Sequence, residues 1–132
     1  MIGIDTNIII RYLMQDDPAM GARATHIVDE LLSEREPGFV SVLAVAEVVW
    51  TLRRTYRVSR EKIASVIESL LASPSLVIER EQEVFLAMLA LKDGAGEFAD
   101  ALIGALGTRA GCSHTLTFDR AAAARLPGFR LA

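Results

Sequence analysis

Four acidic residues stand where an unpaired carboxylate is costly. Asp5 closes the apolar opening MIGI, and Glu47 is the only charge between Val40 and Leu52, in the run VLAVAEVVWTL. Asp100 sits inside EFADALIGAL, and Asp119 follows TLTF. An ionised carboxylate placed in apolar surroundings needs a compensating cation. Apart from Arg120 beside Asp119, the basic residues are not interleaved with these acids. Brought together, three or four such carboxylates repel one another unless a cation lies between them. Hard divalent ions such as Mg²⁺ and Mn²⁺ take oxygen ligands. Zinc takes His or Cys, and none of the four segments contains either. The chemistry implied is an acidic metal site.

Singly, each acid has a plainer explanation. Asp5 suits the N-cap of a helix starting near Thr6. Glu47 suits a narrow solvated stripe. Glu97 and Asp100 suit a first helical turn, where acids complement the helix dipole. Asp119 suits the start of a turn. The elements that carry them decide between the two readings. Ile2 to Asp5 reads as a short buried strand and residues 18 to 34 as a helix. Phe39-Val40 is a strand, followed by a helix to Tyr56 capped by Ser41. Ser59 caps a further helix with Ile63, Val66, Ile67, Leu70 and Leu71 on its apolar face. Leu76 to Ile78 reads as a strand, Glu81 to Lys92 and Glu97 to Arg109 as helices. Thr115 to Phe118 and Phe129 to Leu131 read as strands. Short strands alternating with helices predict an α/β fold with a mainly parallel sheet covered on both faces. In such sheets ligands bind beyond the carboxyl ends of the strands, where Asp5 and Asp119 fall. If their strands are neighbours the two acids converge, and Glu47 and Asp100 reach them from flanking helices. Gly104 and Gly107 follow Asp100 on its helical face, which suits close packing and a nearby ligand equally.

The chain has 132 residues, with 17 Asp plus Glu against 14 Lys plus Arg, for a formal charge of −3. That length predicts one domain with its own core, and the Pro and Gly breaks are short. An acidic balance argues at first against a nucleic-acid partner. The charge is uneven, however: Arg53, Arg54, Arg57, Arg60 and Lys62 stand within ten residues, offset only by Glu61. Phosphate contact and a solvated helix end both account for such a cluster. Cys112 is the only cysteine, which excludes an intrachain disulfide and a CxxC site. No apolar run is long enough to cross a bilayer, and MIGIDTN lacks a basic signal-peptide start. The expectation is a soluble cytoplasmic protein with no membrane association.

DTN at 5–7, Glu47 after VLAVA, EFADALI at 97–103 and LTFDR at 116–120 together resemble the PIN-domain ribonucleases, and in particular the VapC-type toxins of bacterial toxin–antitoxin pairs. The likeness extends through WTLRRTYRVSREKI at 50–63 and RLPGFRL at 125–131. The resemblance implies a single PIN domain over residues 1–132, a three-layer α/β/α fold whose mainly parallel central sheet has four to five short strands. It implies an endoribonuclease dependent on Mg²⁺ or Mn²⁺, acting on RNA, usually homodimeric and neutralised by a small cognate antitoxin. Asp5, Glu47, Asp100 and Asp119 match the four family acids in order. Thr6, Asn7 and Thr117 match supporting polar positions. Glu97 stands where many relatives have Asp, which leaves its role open. Asp5 and Asp100 are then first choice as metal ligands, with Asp119 and Glu47 completing the site or orienting the attacking water. Arg11, close after the first acid, joins Arg53, Arg54 and Arg57 as candidate RNA contacts.

Rival readings fit less well. A haloacid-dehalogenase-type phosphotransferase needs an acid where Asn7 stands, and a receiver domain needs a strand-end lysine where this chain has only Lys62 and Lys92. Ser113-His114 has no triad motif around it. A non-catalytic PIN-fold binding module is argued against by the presence of all four acids. Trp50 and Tyr56 could stack on bases, but their spacing among apolar residues points first to core or interface. The apolar surfaces of residues 42–56 and 59–72 suit a dimer or antitoxin contact.

Overall fold

The computed structural model describes residues 1–132 and divides into two compact units, residues 1–57 with 69–79, and residues 58–68 with 80–132. Five short strands and seven α-helices follow one another as β1 (Ile2–Gly3), α1 (Thr6–Met14), α2 (Pro18–His26), β2 (Gly38–Val40), α3 (Val42–Arg54), α4 (Arg60–Ala72), β3 (Leu76–Ile78), α5 (Glu81–Asp93), α6 (Phe98–Arg109), β4 (Thr115–Thr117), α7 (Arg120–Arg125) and β5 (Phe129–Leu131). Every strand pair is parallel, in keeping with the α/β class read from the sequence.

The first unit is built on a parallel sheet of order β1-β2-β3, with Ile2 opposite Gly38 and Gly38 opposite Leu76. Its strands are only two or three residues long, but backbone bonds extend the pairing past their ends. Ile4 N donates to Phe39 O at 2.8 Å, and Glu79 N donates to Val40 O at 2.9 Å. The middle strand is the most crowded. Val40 is wholly buried, and a Cβ at position 38 would lie 2.8 Å from both Ile4 and Leu32 side-chain atoms, so glycine is required there. Helix α1 packs on α3, and the two helices bury Ile9 and Ile10 of α1 and Val45, Val48, Val49 and Leu52 of α3. The start of α3 is tied twice: Ala44 N donates to Ser41 Oγ at 3.1 Å, and Val42 N donates to Glu79 Oε1 at 2.9 Å. The helix expected over 18–34 is interrupted. It is α-helical only to His26 and continues as a single π-helical turn, Ile27–Leu31, closed by Leu32 N donating to Ile27 O.

The second unit holds the packed pair α5 and α6, the first part of α4, and the two-stranded sheet β4-β5 with α7 beside it. Its core includes Val84, Ala87, Met88, Leu91, Phe98, Leu102 and Leu126. The five strands thus divide three and two rather than forming one hydrogen-bonded sheet. Consequently β1 and β4, which both run toward acids, are not hydrogen-bonded neighbours. The glycines of α6 serve packing. A Cβ on Gly104 would collide with the Phe129 ring, and one on Gly107 would press on Thr115 Oγ1 at 3.1 Å.

Candidate active site

In the first unit, the chain leaves β1 through Ile4 and places Asp5 at the N-cap of α1, with extended backbone (φ −77°, ψ 155°). The plainer reading therefore gives the right position. The capping bond itself is missing, because the Asp5 side chain accepts nothing from the first turn and remains exposed. Thr6 is buried and donates from Oγ1 to Glu47 Oε2 at 3.1 Å, joining the β1–α1 junction to the middle of α3. Asn7 is exposed.

Glu47 is exposed too, as the solvated-stripe reading has it and against the expectation that its apolar run would bury it. Residues 44, 45, 48, 49 and 52 take the inward arc of α3, and a helix of 3.6 residues per turn leaves position 47 outside. The neighbours in sequence are apolar because they face the core, while Glu47 does not. What remains distinctive about Glu47 is its tie to the buried Thr6 hydroxyl.

The second unit brings together Glu97, Asp100, Thr117 and Asp119. Glu97 occupies the N-cap of α6 without a side-chain capping bond, and Asp100 lies half-buried in the first turn. Asp119 caps α7, a short helix absent from the sequence reading, with Ala122 N donating to its Oδ1 at 3.0 Å, where the plainer reading expects only the start of a turn. Thr117 shapes the turn before it, since Asp119 N donates to Thr117 Oγ1 at 3.0 Å. The Asp100 carboxyl is pushed above its ordinary value, first by loss of water on burial, then by the charge of Asp119, then by that of Glu97. All three influences act in the same direction. In neither unit do three acidic, His or Cys side chains close into a ready-made three-ligand group. By donor chemistry, a set of carboxylates that repel one another, with no His or Cys among them, fits a hard divalent cation better than zinc.

The candidate cations are less free than the sequence suggests. Arg11 reaches Asp16 at 3.2 Å, and Tyr56 donates to the other oxygen of the same carboxylate at 2.7 Å. Arg54 lies over the Trp50 ring at 5.7 Å from its centre, and Arg57 is exposed beyond the end of α3. Arg53 is half-buried on the same helix. Trp50 is 60% exposed, which removes the core half of the core-or-interface reading.

Two acids are passed over by the sequence reading. Glu79 follows β3 just as Asp5 and Asp119 follow their strands, so the strand-then-acid pattern would have found it; it holds the start of α3. Glu83 is almost fully buried, with Arg109 as its partner at 3.3 Å. Nothing in the sequence separates it from the exposed acids Glu81 and Glu97.

The PIN domain family matches residues 2–127, nearly the whole chain. The protein therefore belongs to the PIN-domain family, whose members are in general nucleases that use divalent metal ions. No curated protein matches it. No helix is long and apolar enough to cross a membrane.

Proposed function

We propose that this chain is a single PIN domain acting as a Mg²⁺- or Mn²⁺-dependent endoribonuclease, the VapC-type toxin of a toxin–antitoxin pair. The PIN family match carries the nuclease part of the reading, and the part that concerns the metal is supported by Asp100, whose carboxyl is raised by burial and by two other carboxylates, Asp119 and Glu97. Such an arrangement is a cost to the free protein and an asset once a divalent ion is bound. Asp100 and Asp119 are the residues assigned to the metal in the second unit, and the match to the family acids assigns the same role to Asp5 and Glu47 in the first. When bound, the ion neutralises the acids and the scissile phosphate and makes a water a stronger nucleophile.

The protein's own groups do the remaining work. Thr6 orients Glu47 through its hydroxyl, and the Thr117 turn with Ala122 N fixes the carboxylate of Asp119. Glu47 and Asp119 are the candidates that would accept the proton of the attacking water. Arg53, Arg54 and Arg57 supply positive charge for the RNA backbone. A small antitoxin protein and a second copy of the chain are the proposed partners, and the cytoplasm the proposed site of action. The test is sequencing of cellular RNA ends after induction, beside Asp5→Asn. New ends that depend on Asp5 are expected; identical ends from both proteins reject the assignment.

A further inference from the structure

The outward face of α3 carries, beside the metal-site candidate Glu47, exposed residues that neither the core nor metal binding accounts for. Leu43, Glu47, Trp50 and Arg54 follow at spacings of four, three and four residues, a single stripe of the helix. Leu43 is 66% exposed and Trp50 is 60% exposed, on a helix whose inward arc is fully packed. An indole left this open stabilises the fold little, and its cation–π pair with Arg54 is of the weak, solvated kind. The ring stands one turn from Glu47, about 4.5 Å along the helix axis.

What would cover an indole flanked by a guanidinium is constrained by charge. An apolar peptide would strip water from Arg54 and Glu47 without supplying partners. A nucleotide supplies both needs, because its base has a flat face for the ring and its phosphate a charge for Arg54 and exposed Arg57. The base must be unpaired, since only an unstacked base exposes a face to a side chain.

Resting on the ribonuclease reading, we propose that Trp50, backed by Arg54, is a stacking platform for an unpaired RNA base beside the cut.

Trp50 is the chain's single tryptophan, so intrinsic fluorescence reports on this position alone. Wild-type protein is titrated with a short unstructured RNA in Mg²⁺, with anisotropy of a labelled copy followed in parallel and RNA integrity checked on a gel. Expected is quenching that saturates with binding, and none on adding heparin, which carries charge but no bases. Trp50→Leu should weaken binding roughly tenfold or more while Trp50→Phe retains most of it. Arg54→Ala should flatten the salt dependence by about 0.7 in logarithmic slope. Circular dichroism confirms that each variant is folded.

RNA that binds and is cleaved with unchanged fluorescence overturns the platform and leaves the ribonuclease reading standing. Equal quenching by heparin or by duplex RNA also overturns it. A concentration-dependent emission shift without RNA, with Trp50→Leu monomeric, assigns the face to a second copy instead and overturns it. Absence of any RNA binding or cleavage rejects the ribonuclease reading and the platform with it.

Discussion

Asp16 and Asp100 show two ways for a folded chain to hold an acid. Asp16 is exposed yet well supplied, with the Tyr56 hydroxyl at 2.7 Å and Arg11 at 3.2 Å. Its carboxyl falls below the ordinary value, chiefly through the Tyr56 bond, with Arg11 adding to it. Asp100 is half-buried, and the charges that act on it are those of Asp119 and Glu97, so its carboxyl rises. The first acid is stabilised by the fold. The second is tolerated by it at a cost that a proton or a bound cation relieves.

The largest separation between the two is in activity. Asp100→Asn should lower Mg²⁺-dependent RNA cleavage more than about a hundredfold, beyond the usual effect of groups that merely support a ligand. Asp16→Asn should leave the rate essentially unchanged. Initial rates on one RNA substrate check both, and equal losses would erase the distinction. Thr6→Val should act at an intermediate level. It keeps the shape of a buried residue but removes the bond that orients Glu47, at about 1 kcal/mol of stability. Chemical denaturation gives the stability change, and a fall in cleavage rate clearly larger than the fall in folded fraction supports the orienting role.

The smallest effect is in the pH dependence of stability, where the two acids have opposite signs. The lowered Asp16 carboxyl contributes stability above the unfolded value of 3.8 that is lost as pH falls through its folded value. The raised Asp100 carboxyl contributes stability below 3.8 that is lost as pH rises through its folded value. In metal-free buffer at neutral pH, Asp100→Asn should therefore melt above the wild type and Asp16→Asn below it. Melting curves from pH 3 to 7 read both, and shifts of the same sign would break the comparison.

Sequence reasoning reached the elements better than the environments. Leu76–Ile78 and Phe129–Leu131 are strands where their short apolar runs, bounded by turns, place them. Ser41 caps α3 because a hydroxyl before an apolar run has little else to do. The π-helical turn after His26 was not legible, since its five-residue spacing differs from an α-helix by one residue and leaves no compositional mark. Gly104 could be seen to be unusual in a helix, but only the Phe129 ring explains it, and that contact joins residues distant in sequence. The acids were recognisable by type and order. Their surroundings were not, because apolar neighbours along a helix face the core while Glu47, on the same helix, faces water.

On the metal-site reading, the Asp100 carboxyl, raised by burial and by the charges of Asp119 and Glu97, is compensated by a bound divalent ion. Thermal melting of wild type and Asp100→Asn, with EDTA and then with excess Mn²⁺, tests it most directly, because an ion bound only to the folded state raises the midpoint. The account predicts that Mn²⁺ raises the wild-type midpoint and leaves that of Asp100→Asn unmoved. A wild type indifferent to Mn²⁺, or an equal rise in both proteins, would contradict it.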